Sequence, residues 1–241
     1  ASGQDIFGRE IVRQLEALRV DTSGIVIQSD GFDTMTYCKQ YADEDEAARL
    51  DFGVFNRRSR DTDKFLVAML GHTFKAYDAV IINQQVAGSI ANEGFIDEVN
   101  GLVREFPDKV VLLDSRHYAD AFRKVCRKMN QQELAALVKA ELARGEMLSL
   151  ADLQKYTAKV FKQCGRPVFV TRGARGILVC DAGGLHEAPG IQVSGRLDPV
   201  GAGDTVLSAL ACCLAAGIEP AAAGEFAGLA AGVTVQKIRQ T

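Results

Sequence analysis

Short apolar runs alternate with longer stretches of helical period from about residue 65 onward. Ala79-Val80-Ile81-Ile82-Asn83 reads as a strand, preceded by a helical pattern through Phe65, Leu66, Met69 and Leu70. Residues 90–105 set Phe95, Ile96, Val99, Leu102 and Val103 on one stripe, as a helix does. Lys109 to Leu113 is a continuous apolar strand ending at Asp114, and such a run suits a parallel sheet covered on both faces. A helix is predicted over Gln131 to Arg144. A second runs from about Ser149 to Cys164, with Ser149 as N-cap and Asp152 at the capping-box position. Val168 to Thr171 is the next strand. Ile177–Cys180 and Gly184–Glu187 form a hairpin around Asp181-Ala182-Gly183. Two helices close the chain, Thr205 to Ala216 and roughly Pro220 to Gln236.

This alternation implies an α/β layered domain with a mainly parallel sheet, whose ligands sit at the carboxyl ends of the strands. Asp114, Thr171 and the loop 198–204 each lie just after a strand and can converge on one rim. The upstream part differs. After a helix from Arg9 to Leu18, Gly24–Ile27 and Met35–Lys39 look like strands. The acidic run Asp43-Glu44-Asp45-Glu46 then reads as a solvated turn in preference to a metal site.

Length and composition narrow the function classes. A chain of 241 residues holds one large domain with a substantial core, or two small ones. The net charge is −3 and no basic block marks a nucleic-acid surface, so a nucleic-acid partner is not expected. No apolar stretch is long enough to span a bilayer, and no secretory signal is seen. Six scattered cysteines without a C-x-x-C read as buried reduced thiols of a cytoplasmic protein. The three histidines have no metal-ligand spacing.

The chemistry concentrates in Asp198-Pro199-Val200-Gly201-Ala202-Gly203-Asp204, which runs into the apolar stretch Thr205 to Ala211. A Gly-rich turn opening a helix leaves backbone N–H groups unpaired at the positive end of the helix dipole, which makes an anion site. A carboxylate beside bound phosphate is repelled by it. Asp204 makes sense there if a hydroxyl loses a proton while attacking that phosphate.

This stretch resembles the second signature of the PfkB (ribokinase-like) carbohydrate kinases, D-T-x-G-A-G-D, with Pro199 in place of the threonine. The resemblance extends to Asp5-Ile6-Phe7-Gly8, to Asn130-Gln131-Gln132-Glu133 (N-x-x-E), to Thr171-Arg172-Gly173-Ala174-Arg175-Gly176 (T-x-G-x-x-G) and to Ala230-Ala231-Gly232-Val233. Tyr37-Cys38-Lys39, Arg49-Leu50-Asp51 and Asp114-Ser115-Arg116 resemble the heptose-phosphate kinase branch. The family also carries a leading segment before the D-x-F-G passage, which this chain is expected to lack, and a further element beyond Thr241.

The resemblance implies one ribokinase-like kinase domain over residues 1–241, with 24–57 as a partial β-lid through which the chain pairs as a homodimer. It implies transfer of the γ-phosphate of ATP, with Mg²⁺, to a hydroxyl of a sugar or sugar phosphate. Asp204 is then the base, and the N–H groups of Gly201, Ala202 and Gly203 hold the developing charge. Asp198 orients the loop or positions magnesium-bound water, with capping of the turn as its plain alternative. Asn130 and Glu133 organise water around Mg²⁺; on spacing alone they are a capping box. Thr171, Gly173 and Gly176 shape the nucleotide ledge, with Arg172 or Arg175 at the phosphates. Gly228 and Val233 border the adenine, where many members carry asparagine at the position of Gly228. Lys39, Asp114 and Arg116 face the acceptor. The rivals are a kinase for a ketohexose, a ribose or a nucleoside, and an incompetent nucleotide-binding fragment.

Overall fold

The computed structural model describes residues 1–42, 45–85, 93–143 and 145–237. Asp43 and Glu44 of the acidic run, the first residues of the helix expected over 90–105, Arg144 and the last four residues lie outside the described residues. The chain divides into two compact units. One comprises Ala1–Lys75 and Gln85–Val99, the other Ala76–Gln84 and Asn100–Thr241.

In the first unit, β1 (Ser2–Gly3) pairs in parallel with β2 (Ile27–Gln28), and α1 spans Ile6–Ala17. The helix starts three residues before the expected Arg9 because Asp5 caps it. Its Oδ1 accepts from the Gly8 N–H at 2.8 Å, and its Oδ2 accepts from the Thr34 N–H at 2.7 Å. Burial opposes that charge, but the backbone N–H groups of Thr34 and Gly8 outweigh it and hold the carboxyl below its ordinary value. Gly8 allows the helix to close on β1: a Cβ there would run into the Gly3 carbonyl and the Ser2 hydroxyl.

The predicted β-segment forms two short ribbons. In one, β3 (Thr36–Cys38) pairs antiparallel with β6 (Leu50–Phe52); in the other, β4 (Tyr41–Ala42) pairs with β5 (Asp45–Glu46). Arg49 braces the first ribbon, bidentate to Asp51 at 2.6 and 2.8 Å and stacked 4.4 Å over the Tyr37 ring. The helix α2 (Arg60–Ala76) follows. Before it, the buried Arg58 pairs with Asp63 and lies 4.4 Å over Phe95.

The second unit is built on a six-stranded sheet, order β12-β11-β10-β9-β8-β7. Its strands are β7 (Ala79–Gln84), β8 (Val110–Ser115), β9 (Cys126–Asn130), β10 (Val168–Thr171), β11 (Ile177–Asp181) and β12 (Gly184–Ala188). The first four run parallel and the last two antiparallel, as the alternation and the hairpin predicted. The helices are α3 (Glu93–Glu105), which crosses the boundary between the units, then α4 (Gln131–Val138), α5 (Leu150–Cys164), α6 (Ala202–Ala215) and α7 (Pro220–Thr234).

Side chains alternate between the two faces of the sheet. Leu112, Cys126, Phe169, Ile177 and Val179 pack with Val206, Leu207 and Leu210 of α6 and with Ala223 and Ala227 of α7. Met129, Val168, Val170 and Leu178 pack on the other side with Leu134 of α4 and with Leu153 and Val160 of α5. A sheet covered on both faces explains the unbroken V-V-L-L run of β8.

Two further expectations are corrected, and one strand is added. The helix predicted over 131–144 ends at Val138, because Lys139 turns left-handed (φ 58°) and the Ala140 N–H returns to the Ala135 carbonyl. The strand β9 was not anticipated. The helix expected from Thr205 starts at Ala202, so the whole Gly201–Asp204 turn belongs to its N-terminus. Ser149 caps α5 as expected, its Oγ accepting from the Asp152 N–H at 3.1 Å, while its hydroxyl donates to the Asp152 carboxylate at 2.7 Å.

Candidate active site

The carboxyl ends of the four parallel strands make one rim. Asn83 is opposite Asp114, Gln84 opposite Ser115, and Asn130 opposite Thr171. Period-two alternation decides which side chains reach the α6 face there. Asp114 follows Leu112, Lys128 and Asn130 follow Cys126, and Thr171 follows Phe169, all on the parity that packs against α6.

At the centre, Lys128 donates from Nζ to Asp114 Oδ2 at 2.6 Å, and both side chains are more than nine-tenths buried. The same Nζ lies 3.2 Å from where a Cβ of Gly203 would stand. A buried ammonium therefore abuts the first turn of α6. One of its three protons goes to Asp114, which leaves two for another acceptor.

The turn itself has the geometry of an anion cradle. Gly201 is left-handed (φ 78°) at the N-cap, a conformation that glycine adopts without cost. The Thr205 N–H closes the first helical bond onto the Gly201 carbonyl at 2.9 Å. The Ala202 N–H is turned onto the Pro199 carbonyl at 3.3 Å, so it contributes less than expected. Those of Gly201, Gly203 and Asp204 make no hydrogen bond among the described residues. Asp204 is exposed beside them. Asp198 braces the turn: its Oδ1 accepts from the Val200 N–H at 3.0 Å, and its own N–H donates to the Val235 carbonyl at 2.8 Å.

Asn130 and Glu133 form a full capping box on α4. Asn130 Oδ1 accepts from the Glu133 N–H at 2.9 Å, and Glu133 Oε2 accepts from the Asn130 N–H at 2.8 Å. Burial raises the Glu133 carboxyl above its ordinary value. The Asp114 charge pushes the same way, while the Asn130 N–H, Lys128 and Arg116 oppose it. Glu133 thus shares its field with Asp114, Lys128 and Arg116. Among the described residues no group of three or more acidic, histidine or cysteine side chains forms a metal cage. A divalent ion here would keep most of its water and reach Glu133 through it.

The other candidate residues fall as follows. Thr171 ends β10, its hydroxyl 3.4 Å from the Met129 carbonyl. Gly173 and Gly176, both at positive φ, flank the short 3₁₀ turn Gly173–Arg175. Arg172 is taken up by Glu187 at 3.1 Å and by the Arg175 carbonyl at 2.9 Å, whereas Arg175 is exposed. Arg116 is exposed just past β8, on a loop that Gln84, Asn100 and Arg127 hold through hydrogen bonds. On α7, Gly228 faces open space and Val233 is exposed. Lys39 belongs to the other unit, between β3 and β4. Lys128 was missed by sequence reasoning. The available signal was its place two residues before Asn130, on the same face of a strand.

The pfkB family carbohydrate kinase model matches residues 1–240, and the chain belongs to that family. A bifunctional protein HldE from Helicobacter pylori (strain HPAG1) is 28% identical over 98% of this chain and 50% of its own length. The chain thus spans about half the length of the curated relatives it matches. Among solved structures, a mutant of Escherichia coli phosphofructokinase-2 superposes with a TM-score of 0.79 at 18% identity, covering 99% of this chain and 76% of that one. Ribokinase from Thermotoga maritima gives 0.73 at 18%, covering 99% and 74%. The fold is therefore ribokinase-like, as the motifs implied. No helix among the described residues is long and apolar enough to cross a membrane.

Proposed function

We propose that this chain transfers the γ-phosphate of ATP to a hydroxyl of a sugar or sugar phosphate, with a heptose phosphate as the first acceptor to test. The observation that carries the reading is the abutment of the buried Lys128 ammonium on Gly203, at a helix N-terminus whose Gly201, Gly203 and Asp204 N–H groups lack acceptors. Fixed donors aimed at a transferring phosphoryl group stabilise the charge that develops on it.

In this reading Asp204 accepts the proton of the attacking hydroxyl. The acceptor oxygen bonds to phosphorus as the bond to the ADP oxygen breaks. Gly201 and Gly203, with Ala202 between them, present the N–H cradle, and Lys128 adds a full positive charge. Asp114, expected at the acceptor, is buried against Lys128 and serves to orient that ammonium. Mg²⁺, when bound, would neutralise phosphate charge, and Glu133, oriented by Asn130, would hold its water. Thr171, Gly173 and Gly176 form the ledge beside the nucleotide, and Gly228 and Val233 the adenine side, where Ile191 packs against Gly232. Lys39 and Arg116, both exposed, are the candidates for an acceptor phosphate. All six cysteines are free thiols, which fits a kinase working in the cytoplasm.

The test is ADP release from ATP and Mg²⁺ across a panel of sugars and sugar phosphates, heptose 7-phosphate included, with Asp204→Asn alongside. Acceptor-dependent turnover that falls at least a hundredfold in the variant supports the reading. Turnover unchanged in Asp204→Asn removes the base.

A further inference from the structure

The catalytic turn is fastened at both ends to one place on another helix. On its amino side, the Asp198 N–H donates to the Val235 carbonyl at 2.8 Å. On its carboxyl side, the Thr205 and Thr234 hydroxyl oxygens stand 2.9 Å apart. The Thr234 hydroxyl also contacts the Ala230 carbonyl at 3.3 Å, one helical turn back. A hydroxyl has one proton. Either hydroxyl can donate across the Thr205–Thr234 pair; with the Thr234 proton on the Ala230 carbonyl, the Thr234 oxygen accepts from Thr205.

The residues bracketing the turn, 198 and 205, are therefore held by the consecutive residues 235 and 234 at the end of α7. Thr205 directly follows Asp204, and its N–H closes the first helical bond around the turn. Its side chain has no other hydrogen-bond partner among the described residues. Thr205 is the backbone neighbour of Asp204, so a restraint on its side chain restrains the first turn that carries the Asp204 carboxylate and the Gly203 N–H.

We propose that Thr234 is a positioning residue for the phosphoryl-transfer turn. Acting through Thr205, it sets the direction of the Asp204 carboxylate and of the anion-binding N–H groups. It thereby ties that turn to the helix that carries Gly228 and Val233. The inference rests on the reading of residues 201–204 as the transfer site. It goes beyond that reading in making a hydroxyl remote from the reacting atoms govern the rate and leave nucleotide affinity alone. A loss of a few tenths of an ångström in alignment lowers the rate without altering ground-state binding.

The experiment compares wild type, Thr234→Val and Thr234→Ser. Valine keeps the shape and removes the hydroxyl; serine restores the hydroxyl. Steady-state kinetics should show kcat reduced on the order of tenfold in Thr234→Val, with KM for ATP within about twofold, and recovery in Thr234→Ser. Hydrogen exchange of a peptide covering residues 199–207 should be faster in Thr234→Val and restored in Thr234→Ser, at an unchanged melting temperature. Equal kcat in the valine variant, or a serine variant as slow as valine, overturns the inference while the kinase reading stands. So does a change confined to KM, or unaltered exchange. A wild type with no acceptor-dependent ADP release overturns the kinase reading itself, and with it the catalytic role of the clasp. The wild-type arm therefore separates the two failures.

Discussion

The buried Lys128–Asp114 pair is where stability and the proposed chemistry can be tested together. Removing one partner leaves an uncompensated charge in the interior, which costs roughly 3–5 kcal/mol, whereas replacing both with apolar groups is often neutral. We predict that Lys128→Met lowers stability by about 3 kcal/mol in urea unfolding. The double variant Lys128→Met/Asp114→Leu should recover most of that loss and none of the turnover. Recovery of both would make the pair structural only.

Glu133 offers a second prediction at this scale, in which sign matters. Its folded pKa is raised, chiefly by burial, so the folded state holds the proton more tightly than the unfolded state does. The ionised carboxylate therefore costs stability. That cost is absent below the ordinary value of 4.5, develops as pH rises through the raised one, and stays constant above it. Glu133→Gln keeps an oxygen for the Asn130 N–H and drops the charge. Its stability relative to wild type should improve between pH 4 and pH 7, while its activity with Mg²⁺ falls. A stability difference independent of pH would refute the burial argument.

At the scale of elements, the hairpin, the two-faced parallel sheet and the closing helices were legible because each has a strong period or a turn signature. The strand β9 was not. Its sequence, Cys126-Arg127-Lys128-Met129-Asn130, places two charges where a buried strand is expected to be apolar. Both are buried for stated reasons. Arg127 donates to the Ala119 and Phe122 carbonyls, and Lys128 pairs with Asp114. Lys128 was thus hidden, since pairing across strands is invisible to local periodicity. The overlong helix after Asn130 failed for a different cause. Lys139 takes a left-handed C-cap, where glycine is the usual signal.

Two glycines on the closing helices separate propensity from function. Gly228 lies inside α7, where alanine is favoured by about 0.5–1 kcal/mol, whereas Gly203 sits in the first turn of α6. Gly228 faces open space, so Gly228→Ala should raise stability by about that amount. A methyl at Gly203 stands 3.2 Å from the Lys128 ammonium and must displace it by a few tenths of an ångström. Gly203→Ala should therefore leave thermal stability near wild type and cut turnover by roughly tenfold or more. Full activity in Gly203→Ala would show that the ammonium position does not matter.

For the molecule as a whole, the open question is what covers the β-ribbon of the first unit. A two-stranded ribbon of three-residue strands is marginal in water unless its apolar face is covered. Here Leu50 and Phe52 on one face of the ribbon are each more than 40% exposed, as is Tyr37 on the other face, and Phe55 is 94% exposed. The bidentate Arg49–Asp51 bridge and the Phe7–Phe52 ring contact at 5.6 Å brace the ribbon without hiding that surface. Apolar side chains held on a braced and uncovered ribbon are suited to a second copy of the same surface, since a two-fold axis pairs each patch with itself. We predict a dimer by size-exclusion with light scattering, and a monomer for Leu50→Glu, whose charge would meet its own symmetry mate across such an axis. The Glu variant should keep its far-UV circular dichroism, because Leu50 is nearly half-exposed in the single chain. Wild type that stays monomeric at high concentration would sink the pairing through this ribbon. A dimer that survives Leu50→Glu would move the interface elsewhere.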